Sequence, residues 1–296
     1  MRNTKLYKLK NKLLKAVLCM SLLFITGCDI LKKDSMEDIN IVTTTYSVEY
    51  VTNYLYGENS VVNSIYPDDT NTDTYKFTEK QIKENSNQDL FVYMGKTKDS
   101  DIAIKYLNTN KDLKIIDATY GMEIQYGEEE LWLNPSNLLM ISENIKNGLN
   151  EYISSTYLIN QIEEKNNELR QVLSSLDSEI KLSIENSKTK LIVVGNKSLG
   201  YLSKYGLDVL VVNKDDSDYE KNLTLLKNYV NNNIISNFYI LENTKLDKEI
   251  EKLTENGLNI KTLRNLKNIT DEERNNNTGY VELSKQNLES IKEEIY

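Results

Sequence analysis

The chain has 296 residues, 39% hydrophobic and 27% charged, enough for one large domain or two lobes with cores of their own. Its formal charge is −9; the six charges in residues 1–27 are all basic, so without that stretch 30 basic side chains face 45 acidic ones, a net of −15. A body that acidic repels nucleic acid, and with no His and only Cys19 and Cys28 the chain excludes a Ser/His/Asp or Cys/His catalytic set and a disulfide framework.

The basic start ends at Lys15. Ala16 to Gly27 follows, uncharged and too short to span a bilayer as a helix. It closes on Ile25-Thr26-Gly27-Cys28, which resembles the bacterial lipobox. That implies cleavage before Cys28, leaving residues 1–27 as a signal peptide, and acylation of the Cys28 thiol. Two acyl chains suffice for stable anchoring in a bilayer. Residues 28–40 form a polar tether, and the body sits on the extracytoplasmic face of the cell membrane.

From there the order is strand, helix, strand, helix. Ile41–Thr45 is a β-branched strand, Val48–Tyr56 a helix, Ser60–Tyr66 a strand stopped by Pro67, Phe77–Ser86 a helix and Asp89–Tyr93 a strand. Ile102–Leu107 is a helix and Lys114–Asp117 a strand. After the loop Tyr120–Glu130, Ser136 caps a helix running to Leu149. Ser154–Ser187 contains no Gly or Pro and carries Ile162, Leu169, Leu173, Leu176, Ile180 and Ile184 at helical spacing, which predicts one rod on the order of 50 Å long. Beyond it the alternation resumes. Strands are expected at Lys190–Val194, Asp208–Val212, Asn237–Leu241 and Asn259–Leu263, with helices at Leu199–Lys204, Tyr219–Asn231, Lys245–Asn256 and Ser284–Ile295. This predicts an α/β protein of two lobes, residues 41–153 and 188–296, each a mainly parallel sheet flanked by helices, joined by a rigid helix over 154–187. Ligands of such sheets bind beyond the carboxyl ends of the strands.

Several landmarks in this order resemble the extracytoplasmic solute-binding lipoproteins of zinc and manganese ABC importers. They are Val42-Thr43-Thr44 with Tyr46, Tyr75 with Thr78, Asp89 to Gly95, Trp132-Leu133-Asn134-Pro135, Gly200-Tyr201-Leu202 and Glu242. The resemblance implies a monomeric binding protein rather than an enzyme, a membrane permease as partner, and a divalent metal, zinc or manganese, held between the lobes by His, Glu and Asp side chains. Its four ligand positions fall here on Asp73, Glu130, Asn196 and Arg264, with Glu242 either ordering the cleft behind them or standing as a surface carboxylate.

None of the four is an imidazole. Zinc favours nitrogen and sulfur donors, and a guanidinium has no lone pair to give. Two readings follow. Asp73, Glu130 and Asn196, with Glu128 and Glu129 in reserve, form an oxygen-donor site for a harder ion. Alternatively no metal binds, and Arg264 bridges Asp73 and Glu130 across the cleft as a latch; a register shifted by one would put Asn265 there instead. Asp73 with Glu130 is also the one carboxylate pair that an acid–base enzyme could use, and nothing else supports that reading.

Overall fold

The computed structural model describes residues 36–124 and 130–296. Cys28 and the reserve carboxylates Glu128 and Glu129 lie outside the described residues. The first half contains β1 (Ile39–Thr43), α1 (Tyr46–Tyr56), β2 (Ser60–Ser64), α2 (Glu79–Ser86), β3 (Leu90–Tyr93), α3 (Asp99–Thr109) and β4 (Lys114–Asp117). A short 3-10 turn, Leu131–Leu133, leads into α4 (Pro135–Tyr152) and the long α5 (Thr156–Glu185). The second half contains β5 (Leu191–Val194), a 3-10 segment Lys197–Tyr205, β6 (Asp208–Val211), α6 (Tyr219–Asn231), β7 (Asn237–Leu241), α7 (Lys248–Glu251) with a 3-10 extension to Asn256, β8 (Asn259–Leu263), α8 (Asp271–Asn275) and α9 (Tyr280–Ile295).

Both sheets are parallel, with orders β2-β1-β3-β4 and β6-β5-β7-β8. The two orders are the same, so each sheet has its crossover reversal at the same place, between β1 and β3 in one and between β5 and β7 in the other. Side chains alternate along the strands. Ile41, Val92, Val194 and Tyr239 face one core that both sheets share, while Val42 and Phe91 face an outer cluster of the first lobe, and Val193 and Phe238 one of the second. The inner strands β3, β5 and β7, covered on both faces, are nearly continuous apolar runs.

The rod α5 buries the whole predicted stripe, together with Leu158 and one polar residue, Asn166. Ser155 starts it, its side chain accepting from the Leu158 N–H. Asn166 accepts from the Ser142 hydroxyl and donates to Glu143 at 2.7 Å, which satisfies its buried amide and fixes the register of α5 on α4. Two expectations change. Leu199–Lys204 lies within the 3-10 segment Lys197–Tyr205, and the helix expected over Lys245–Asn256 is a single α turn with a 3-10 tail. The helix α8 was not expected at all.

Candidate functional site

The cleft lies between the carboxyl ends of the two sheets, and one segment of the second half crosses it. After β8 the chain makes a turn in which the Asn265 side chain accepts from the Lys267 N–H at 2.9 Å, and Leu266 takes a left-handed backbone with φ 57°. This sends residues 266–274 across to the first lobe. The Lys267 carbonyl accepts from the Tyr46 N–H at 2.9 Å, the Leu266 carbonyl from the Ser47 hydroxyl at 2.8 Å, and the Ile269 carbonyl from the Asp69 N–H at 3.0 Å. The Asn268 amide donates to the carbonyls of Pro67 and Thr70. Arg274 ends the strap, donating to both oxygens of Glu49 and both of Asp68, with its shortest Glu49 contact 2.7 Å. Those two carboxylates hold its guanidinium charge more firmly than usual.

The turn at Leu266 places the Lys267 ammonium at the centre of the cleft. It pairs with Asp73 at 2.9 Å and Glu130 at 2.7 Å. Ser198, from the second half, donates to the other Glu130 oxygen at 2.5 Å. Lys267 and Glu130 are buried; Asp73 is exposed on its outer side. Burial works against the lysine charge, but Glu130 and Asp73 outweigh it and hold the ammonium above the ordinary lysine range.

The expected site residues therefore divide. Asp73 and Glu130 meet, through Lys267. Arg264 does not bridge them. Its guanidinium pairs with Glu242 and, at 2.7 Å, with Glu273, both in its own half of the chain. The reason is local: at Arg264 the chain is still beside the sheet, with its N–H bound to Asn287, and the redirecting turn comes afterwards. Glu242 also accepts from the Asn265 N–H at 3.1 Å, so it supports the start of the strap. Asn196 stays inside its own sheet, accepting from the Leu241 N–H at 2.9 Å and donating to Thr244 at 3.1 Å. Ser198, two residues on, reaches the cleft in its place. Sequence reasoning missed Lys267 and Ser198. The signal for the first was the polar pair Asn265 and Lys267 around a buried Leu266, which periodicity alone does not distinguish from the end of a strand.

The donor set does not fit a divalent ion. A protonated lysine offers no lone pair, and it sits in direct contact with both carboxylates that would coordinate. At about 4 Å and an effective dielectric of about 20, one positive charge opposes a divalent ion by about 8 kcal/mol. Among the described residues, no group of three or more acidic or Cys side chains is arranged to hold a metal.

Residues 41–294 match the family described as zinc-uptake complex component A, periplasmic, or ZnuA. The chain belongs to the ZnuA family. It is 26% identical to the zinc-binding lipoprotein AdcA of Streptococcus pneumoniae (strain ATCC BAA-255 / R6) over 96% of this chain and 60% of that protein, so it spans less than two thirds of that relative's length. It is 22% identical to the high-affinity zinc uptake system protein ZnuA of Bacillus subtilis (strain 168), over 88% of this chain and 89% of that one. The fold agrees. The Zn(II)-bound ZnuA-like domain of S. pneumoniae AdcA superposes with a TM-score of 0.71 at 24% identity, covering 86% of this chain and 98% of that one. The metal-dependent lipoprotein YcdH of B. subtilis gives 0.73 at 21% identity, covering 87% and 99%. The ZnuA family is one of uptake components, not of enzymes. No helix among the described residues is long and apolar enough to cross a membrane.

Proposed function

We propose that this chain is a lipid-anchored extracytoplasmic protein built on the ZnuA scaffold that carries no metal and acts through its surface on a membrane permease. Cys28 is its anchor, and residues 41–153 and 188–296 are lobes on either side of the linking helix over 154–187. The observation that carries the reading is the Lys267 ammonium between Asp73 and Glu130. A bound metal in such a cleft is a cation that draws donors of the two lobes together. Here the chain supplies that cation itself, so the cross-lobe bridge exists without cargo. The protein then presents a closed form at all times, a competitor or regulator at the permease rather than a carrier. An oxygen-donor metal site at Asp73, Glu130 and Asn196 has less support, because Asn196 is engaged with Leu241 and Thr244.

Calorimetric titration of the purified chain with Zn²⁺, Mn²⁺ and Ca²⁺ tests this. No saturable binding is expected at sub-millimolar concentration. Lys267→Glu, which turns the bridge into a third carboxylate beside Asp73 and Glu130, is expected to gain binding of Mn²⁺ or Ca²⁺. One-to-one Zn²⁺ binding by the native chain at micromolar concentration would remove the reading.

A further inference from the structure

The second sheet ends on β6, and that edge lies open. The strand bonds β5 through its even-numbered residues: the Asp208 N–H donates to the Lys190 carbonyl at 2.7 Å and the Val212 N–H to the Val194 carbonyl at 2.8 Å. Backbone polar groups alternate in direction along a strand, so those of Val209 and Val211 point away from the sheet. The Val211 carbonyl accepts from the Asn222 side-chain amide at 2.9 Å. The Val209 N–H and C=O and the Val211 N–H have no partner among the described residues. At the β4 edge of the first sheet such a group is covered, the Tyr152 hydroxyl donating to the Ile115 carbonyl at 3.0 Å. The β6 edge is also recessed. The 3-10 segment Lys197–Tyr205 covers the inner face, where Val209 and Val211 pack against the shared core, and α6 covers the outer face, where Leu210 packs. Between these layers runs a groove of about 540 Å³, lined among others by Lys197, Val209, Val211, Asp215, Asp218 and Asn222. Its carboxyl end is acidic: Asp216 is paired with Lys197, while Asp215 and Asp218 are exposed and have no ion pair among the described residues.

We propose that this edge is a docking site for an extended, basic peptide segment of a partner protein, which joins the sheet as a strand beside β6. The backbone dictates the extended form. A strand offers N–H and C=O groups at the repeat at which Val209 and Val211 present theirs; a helix, whose groups are bonded internally, does not. The charge dictates the sequence. Asp215, Asp216 and Asp218 line the groove against Lys197 alone. A Lys or Arg where the segment passes Asp215 and Asp218 is therefore attracted, and an acidic residue is repelled. The same charges disfavour a second copy of this chain. Two β6 strands paired about a twofold axis run antiparallel, which sets Asp208 at the start of each beside the acidic end of the other. The site goes beyond the Lys267 reading and needs nothing of that bridge.

The probes are acetylated, amidated peptides in which valine and threonine alternate over about six residues. One carries a lysine pair at its carboxyl end, one carries it at its amino end, and controls carry glutamates in those places. Binding is followed by fluorescence anisotropy of labelled peptide and by hydrogen exchange of the chain. A lysine peptide is expected to bind, and the order that binds better tells whether the strand adds parallel or antiparallel to β6. It should protect the Val209 and Val211 amides and leave the Leu210 amide, already turned to β5, unchanged. Exchanging Asp215→Lys together with Asp218→Lys should weaken that peptide about tenfold and favour its glutamate control. Val209→Pro, tolerable on an open edge because it removes only an outward N–H, should abolish the protection at Val211. Absence of binding by both lysine peptides, equal binding of the glutamate controls, protection confined to other amides, or a dimer of the native chain in sedimentation overturns the proposal. If Val209→Pro does not fold, the charge-reversed chain, altered only at exposed positions, decides: undiminished lysine-peptide binding overturns the site. Zinc titration of the native chain reports separately on the Lys267 reading.

Discussion

Trp132 donates its indole N–H to the main-chain carbonyl of Asn265 at 2.9 Å, joining positions 133 residues apart. The Asn265 side chain in turn holds the Lys267 N–H. The Trp132 carbonyl accepts from the Tyr280 hydroxyl at 2.6 Å, so the same residue is tied to α9 as well. Trp132 is 2% exposed, and it locates the strap that aims Lys267.

Trp132→Phe keeps most of the apolar packing and leaves the Asn265 carbonyl buried without its donor. The expected loss is about 1–3 kcal/mol. Urea unfolding should show a lower midpoint with an unchanged slope. An unchanged midpoint would mean that the bond does not locate the strap.

Lys267→Met retains the length of the side chain and strands Glu130 and Asp73. Removing one partner of a buried pair costs about 3 kcal/mol. The sign with pH follows from the raised lysine value. A raised folded pKa gives stability that is complete below the unfolded lysine value, about 10.4, and is lost as pH rises toward the folded one. The gap between native and variant should therefore hold steady from neutral pH to about 10 and narrow above it. A gap that closed between pH 7 and 9 would contradict the pairing.

Asp99 runs the other way. Its carboxyl is raised to about 6 by burial, against about 3.9 in an unfolded chain. Between those values the folded state binds more protons than the unfolded one, so this group lowers stability as pH rises through about 4 to 6. Asp99→Asn should therefore stabilise the chain at pH 7 by about 2–3 kcal/mol and should have little effect below pH 4. Denaturation at both pH values measures it.

Arg274→Met removes the far end of the strap from Glu49, which is 6% exposed, and from Asp68. Because the arginine side chain is 42% exposed, the expected cost is discounted to about 1–3 kcal/mol. Hydrogen exchange locates the effect: the Tyr46 and Asp69 amides, which donate to the strap, should lose protection in Arg274→Met, while the Val212 amide, bonded to Val194 within the second sheet, should keep its own.

The elements with strong periodicity were legible. The stripe from Ile162 to Ile184 predicted the rod to within two residues at either end, and the strand at Asn259–Leu263 was read with its observed bounds. Apolar spacing reports burial directly, so it serves well wherever a whole face is covered. The site was legible only in part. Asp73 and Glu130 were placed in the cleft, but the cation between them was assigned to Arg264. What moved it to Lys267 is a left-handed backbone at Leu266, an apolar residue that rarely takes one. Tertiary contacts hold that conformation, through the Leu266 carbonyl and the Ser47 hydroxyl, and no local pattern announces it.

The two sheets repeat one strand order, yet they lean on a common interior that contains Ile41 and Val92 from one and Val194 and Leu241 from the other. Neither half could be cut free without exposing an oily wall to solvent. What reads as a doubled architecture should therefore melt as one unit, in a single calorimetric peak whose van't Hoff and measured enthalpies agree.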